Sequence, residues 1–134
     1  RRIHIQSVER TKLPEPVFPA DPVSKLISLH ATHHVPDFPV VDQDGKYIGM
    51  VTGSDVRAAL IDREAIPLLL VAELLRTDLP TIEPNETLDA VMDKFAESDT
   101  ATLVLRATHD REKPSALITR SNVMKRYQAE LEMS

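Results

Sequence analysis

Thr52 and Asp55 stand three residues apart, just after the β-prone run Tyr47 to Val51 and where a helix should begin. A carboxylate at that place can accept hydrogen bonds from both hydroxyls of a ribose, and the threonine hydroxyl beside it can donate or accept. The same residue types also cap the exposed N–H groups of a helix start, so the pattern by itself carries both readings. Gly49 and Gly53 flank the pair and would let a ligand come close to the backbone. Three histidines, His30, His33 and His34, have the spacing of one helix face and invite a metal reading. No carboxylate or cysteine lies at clean ligand spacing from them, so they read as surface or helix-end side chains, and no metal is expected. His4 and His109 sit alone in polar stretches. No nucleophile–base pair and no paired carboxylates occur in a motif; Asp42 and Asp44 read as turn formers. The expectation is a binding protein with no catalytic residues and no required cofactor. An enzyme built on the histidine cluster is the least favoured reading.

The elements that must position these residues follow from pattern. Phe38 to Val41 is a short apolar run, Asp42-Gln-Asp-Gly45 is turn chemistry, and Tyr47 to Val51 is a second β-prone run. A helix is predicted from Ser54 to about Glu64, with Val56, Ala59 and Leu60 inward. Upstream, Val17-Phe18 reads as a short strand. Asp21-Pro22 reads as a helix start, with Val23, Leu26, Ile27 and His30 on one face. Later come a short helix over Val71 to Arg76 and a short strand at Thr81-Ile82. An amphipathic helix then begins near Asn85, with Leu88, Val91, Met92 and Phe95 inward. A second hairpin, Thr102 to Leu105 with Ala116 to Thr119, leads into a helix from Ser121 to about Glu130. Residues 1–16 are charged and proline-ended, and read as a lead-in that straps across the rest.

Laid against itself, the chain repeats. Val17, Pro19, Val23, Leu26 and Ile27 match Ile82, Pro84, Leu88, Val91 and Met92 at an offset of 65, which Phe38 and Val40 keep to Leu103 and Leu105. The second hairpin loop is longer, and beyond it the offset is 67. Gly49-Met-Val-Thr52 then matches Ala116-Leu-Ile-Thr119, and Ser54-Asp55-Val56 matches Ser121-Asn122-Val123. The chain reads as two copies of one β-α-β-β-α unit, an α+β fold in an α/β-like arrangement. The copies span residues 17–65 and 66–130 after the lead-in 1–16.

This pattern resembles a tandem pair of CBS (cystathionine-β-synthase) domains, together a Bateman module. Gly49-x-x-Thr52-x-x-Asp55 resembles the family's G-x-x-[TS]-x-x-D ribose motif, and the likeness runs from about Val8 to Tyr127. The resemblance implies pseudo-symmetric repeats packed sheet to sheet, and an adenine-type small molecule as regulatory ligand: AMP, ADP, ATP or adenosine. It implies one ligand site in which Thr52 and Asp55 face Asp99, Thr100 and Ala101, with Thr81 and Ile82 near the base. It implies a second, degraded site of Thr119 and Asn122 opposite the stretch containing Val35, with Val17. Some nucleotide-binding members carry His or Arg just before the hairpin strand. Here those positions are Pro36-Asp37 and Ala101-Thr102, with Arg57 and Arg120 as possible substitutes. A nucleoside or monophosphate therefore fits better than a triphosphate. The F-P-V-V-D hairpin and the later Ile118-Thr119-Arg120 most resemble the cytoplasmic tails of ClC-type chloride channels and transporters. A homodimer and a fused membrane transport domain are the implied partners, at the cytoplasmic face of a membrane. The alternatives are a ligand-free dimerisation scaffold or the regulatory domain of a fused enzyme.

Bulk properties narrow the classes. A net charge of −5 argues against a nucleic-acid platform, and three Phe with two Tyr offer little for base stacking. With no cysteine, disulfide scaffolds and thiolate chemistry are excluded. The longest apolar run, Ile66 to Ala72, is short and contains Pro67, so no insertion of this chain into a membrane is expected. Beginning at Arg1, the chain reads as a piece of a longer protein.

Overall fold

The computed structural model describes residues 3–33 and 36–133, without the side chain of His33. These residues form two compact units: 14–79, and 80–133 together with 3–13. Each unit holds one two-stranded antiparallel sheet and two α-helices.

In the unit 14–79, α1 runs Val23–His33, β1 Asp37–Val41, β2 Tyr47–Thr52 and α2 Gly53–Ala59. The turn between the strands is tied by Asp42, whose Oδ1 accepts from the N–H groups of Asp44 and Lys46. Gly45 takes a φ of 82°, which an L side chain resists. Val17 forms a parallel bridge with Val40, which accounts for the predicted short strand there. Val17, Leu26, Leu29, Phe38, Val40, Val51, Val56 and Val71 make the core. α2 is shorter than the sequence suggests. Beyond Leu60 its inward positions would fall on Arg63, Glu64 and Pro67, so no burial favours another turn, and Ile61 is 88% exposed.

In the other unit, α3 runs Leu88–Glu97, β3 Thr102–Arg106, β4 Pro114–Thr119 and α4 Arg120–Met133. α3 begins at a Thr87 cap whose Oγ1 accepts from the Ala90 N–H, rather than at Asn85. Ile82 bridges Leu105 in parallel, as Val17 bridges Val40, and both hairpins carry an irregularity at matching places, Val40/Val41 and Leu105/Arg106.

The repetition reaches into the lead-in. Thr11 bridges Leu117 of β4, and Arg76 bridges Met50 of β2. The 3-10 turn Ile5–Ser7 likewise matches the 3-10 turn Val71–Glu73, with Ile5 and Val71 both buried. The lead-in therefore serves the second unit as residues 69–76 serve the first. A clamp recurs as well. The Phe18 N–H donates to Asp21 and the Glu83 N–H to Glu86. Lys25 Nζ joins Asp21 to the Pro16 carbonyl, and Lys94 Nζ joins Glu86 to the Thr81 carbonyl. The two lysines arrive from different helical positions and make the same pair of contacts.

Candidate ligand-binding ends of the two hairpins

Asp37 opens β1 and pairs in register with Thr52, which closes β2. Both are buried. Thr52 Oγ1 accepts from the Asp55 N–H at 3.1 Å, so the threonine caps α2 while its hydroxyl proton stays available for another acceptor. Asp37 Oδ1 accepts from the Gly53 N–H at 2.9 Å. Its Oδ2 is buried and has no hydrogen-bond partner among the described residues. The half-buried Asp55 carboxylate also has no partner among the described residues. The two glycines differ from the sequence expectation. A Cβ on Gly53 would lie 2.2 Å from the Pro36 carbonyl oxygen, and one on Gly49 2.5 Å from that of Arg76. Their missing side chains make room for the protein's own backbone, not for a ligand. The Arg57 guanidinium lies over Gly53, with Nη1 3.2 Å from that Cβ position. An apolar cleft of about 50 Å³ adjoins it, lined by Ile27, Phe38, Gly53 and Val56 among others.

The matching end in the other unit is closed by side chains. Thr119 Oγ1 caps α4 by accepting from the Asn122 N–H at 3.1 Å, the same geometry as Thr52. The Asn122 amide donates to the Glu9 carbonyl at 3.2 Å, a bond that a carboxylate cannot make. Arg120 stands where the first unit has Gly53. One of its Nη atoms donates to the carbonyls of Phe95, Ser98 and Thr100 at 2.9–3.0 Å, and its guanidinium carbon lies 5.3 Å from the Phe95 ring centre. Carbonyls at and just beyond the end of α3 thus receive a cation. Arg120 is held by these carbonyls, half-buried, and is not the exposed charge that its position in sequence suggests. Thr102 opens β3 as Asp37 opens β1, and its buried Oγ1 likewise has no hydrogen-bond partner among the described residues.

Family comparison agrees with this doubled geometry. The CBS domain family matches residues 10–62 and 71–129. The chain belongs to the CBS domain family. No curated protein matches it. Among solved structures, the CBS domain pair of protein MJ0100, in complex with 5′-methylthioadenosine and S-adenosyl-L-methionine, has a TM-score of 0.80 at 16% identity, covering 97% of this chain and 99% of that one. CBSX2 from Arabidopsis thaliana has a TM-score of 0.80 at 16% identity, over 100% and 99% of the two chains. CBSX2 in complex with AMP gives 0.68 at 17%, over 96% and 93%. The CBS domain of a CBS domain containing membrane protein from Sphaerobacter thermophilus gives 0.73 at 18%, over 93% and 88%.

Within this CBS pair, the expected site residues fall into different surroundings. Thr52 and Asp55 adjoin in one unit; Thr100, Ala101, Thr119 and Asn122 gather in the other, where the Ala101 carbonyl accepts from the Arg120 N–H. Asp99 is exposed beside them. The Thr100 hydroxyl is buried and donates to the Thr102 carbonyl. Val17 is fully buried, its carbonyl bound by the Val41 N–H. Ile82 is fully buried with both backbone groups in its bridge. Thr81 Oγ1 accepts from Arg106 Nε at 2.8 Å. Val35 lies outside the described residues, as does His34. Among the described residues no group of three His, Cys, Asp or Glu could hold a metal ion, and no helix is long and apolar enough to cross a membrane. Sequence reasoning had Asp37 only as the end of the stretch opposite Thr119 and Asn122, and noted of Asp37 and Thr102 that neither is basic. The signal available was a polar residue at one matching strand position of both repeats.

Proposed function

We propose that this CBS pair is a regulatory, non-catalytic module that binds an adenosine-type ligand at the Thr52/Asp55 end of the first hairpin and passes the binding event to a fused partner. One observation carries the choice of site. Asp55 keeps a partly exposed carboxylate, without a partner among the described residues, beside a capping threonine, whereas its counterpart Asn122 spends its amide on the Glu9 carbonyl. A free carboxylate can accept from both ribose hydroxyls. The ligands named in the structures of MJ0100 and CBSX2 support the adenosine class. For the partner, the resemblance to ClC-type tails supports a chloride channel or transporter, and with it a position at the cytoplasmic face of a membrane. Assembly as a homodimer would use the helices that follow the hairpins, where Met124 is 42% exposed; a monomer in light scattering at high concentration would overturn that part.

Calorimetric titration of adenosine, AMP, ADP and ATP tests the ligand reading. Asp55→Ala should weaken the bound ligand by roughly ten- to a hundredfold, the loss of a charge-assisted hydrogen bond. Asn122→Ala should leave the affinity within about threefold. No binding by any of the four would favour a ligand-free scaffold. Loss through Asn122 alone would move the site to the other unit.

A further inference from the structure

A cavity of about 400 Å³ opens between the start of α3 and the last turns of α4, at the other end of α4 from Thr119 and Asn122. Ile3, Leu88, Tyr127 and Leu131 give it apolar walls, and Asp89 and Glu130 add carboxylates. Leu131 is 56% exposed, a large apolar side chain left to solvent on a concave surface. Neither the adenosine site nor Met124 takes part in this groove. The charge around it is one-sided. The Asp89 carboxylate has no partner among the described residues. Glu130 gives one oxygen to Arg126 Nη1 at 3.3 Å, and Arg126 Nε also donates to Ser7 Oγ at 3.2 Å. Asp93 and Glu97 continue from Asp89 at four-residue steps along one face of α3, both exposed and without a partner among the described residues. The dipole at the start of α3 offsets only about half a charge. The last turn of α4 contains no basic residue, so its negative end is not answered from within the helix.

We propose that this groove docks a basic segment of a partner polypeptide. One bulky apolar side chain of the segment sits among Leu88, Tyr127 and Leu131, and its lysines or arginines lie against Asp89 and Glu130. Charge complementarity selects this occupant. A second copy of the chain fits poorly, because two such grooves placed face to face would bring like charges together. Nucleic acid and anionic lipid carry the wrong sign for the same reason.

The test is fluorescence anisotropy on the whole chain, with a labelled synthetic peptide of lysine and leucine in amphipathic helical order and a twin carrying glutamate for lysine. The lysine peptide should bind at least about tenfold more tightly than its twin. Asp89→Asn with Glu130→Gln should weaken it about tenfold. Asp62→Asn with Glu64→Gln, the same charge change at exposed positions of the other unit, should leave it within about twofold. Leu131→Ser should weaken it about tenfold with no change of charge. A lysine peptide that binds no better than its twin overturns the proposal. Equal weakening by the two charge pairs means diffuse attraction to an acidic protein and overturns it too, as does a Leu131→Ser chain, folded by its melting curve, with unchanged affinity. If Leu131→Ser turns a dimer into a monomer in light scattering, the groove belongs to a second copy. If the peptide binds only a chain lacking Arg1 and Arg2, the groove belongs to the chain's own start. Either result overturns the proposal.

Discussion

The same junction of strand and helix is built twice, around Gly53 in one unit and around Arg120 in the other. The cap is kept: Thr52 and Thr119 accept the N–H three residues on at the same 3.1 Å. What surrounds the cap has parted. Around Arg120 the guanidinium ties down the end of α3 and Asn122 ties down the lead-in. Gly53 itself carries no side chain, the backbone comes close to Pro36, and the carboxylates of Asp37 and Asp55 have oxygens with no partner among the described residues. The comparison teaches that a duplicated scaffold keeps the contacts that form the turn. The positions between them then serve the fold in one copy and can serve a ligand in the other.

The sharpest way to break this comparison is to remove the arginine. Arg120→Ala leaves three carbonyls at the end of α3 without their charged donor and should cost about 2–3 kcal/mol in urea unfolding. Arg57→Ala, at an exposed position in the other unit, should stay within about 0.5 kcal/mol. Equal losses would mean that Arg120 is not the closing element of its unit.

Gly53→Ala probes the opposite junction. With 2.2 Å between the new Cβ and the Pro36 oxygen, the backbone must move, and the cost should be about 1–3 kcal/mol by thermal or urea unfolding. An unchanged stability would show that the close approach at Gly53 is not needed to hold the strand end in place.

The smallest effect concerns the lysine clamp of the first unit. Burial raises the pKa of Asp21, but the Phe18 N–H and the hydrogen bond and charge of Lys25 outweigh it, leaving the carboxyl below its ordinary 3.8. A lowered folded pKa means stabilisation that is fully present above the unfolded value and lost as pH falls through the folded one. Asp21→Asn should therefore be less stable than wild type at pH 7, by about 1 kcal/mol or less, and the gap should close below about pH 4. Urea midpoints at pH 7 and pH 3 check this; a gap that persists at pH 3 would assign the clamp to packing rather than charge.

Much of the fold was legible because it rests on local chemistry. The F-P-V-V-D run, the Asp42–Gly45 turn and the offset of 65 carried both hairpins, and the short strands read at Val17 and Ile82 stand as single parallel bridges. The lead-in was less legible. Its match to residues 69–76 depends on a few apolar positions, such as Ile5 against Val71, in segments held by isolated backbone bridges that leave almost no side-chain pattern. The roles of the glycines and of Arg120 were hidden for a related reason. A motif states residue type and spacing but not what lies opposite.

The amino-acid sequence by itself determined that this chain is a doubled β-α-β-β-α protein of the CBS kind, because apolar periodicity, turn residues and caps act over a few neighbours. Tertiary structure alone decided that Gly53 yields to a backbone carbonyl, that Arg120 binds carbonyls at the end of α3, that Asn122 holds the lead-in, and that one Asp37 carboxylate oxygen meets no partner among the described residues. The first three are contacts between residues distant in the chain. Whether a polar side chain is available to a ligand depends on which donors and acceptors the fold has already brought to it.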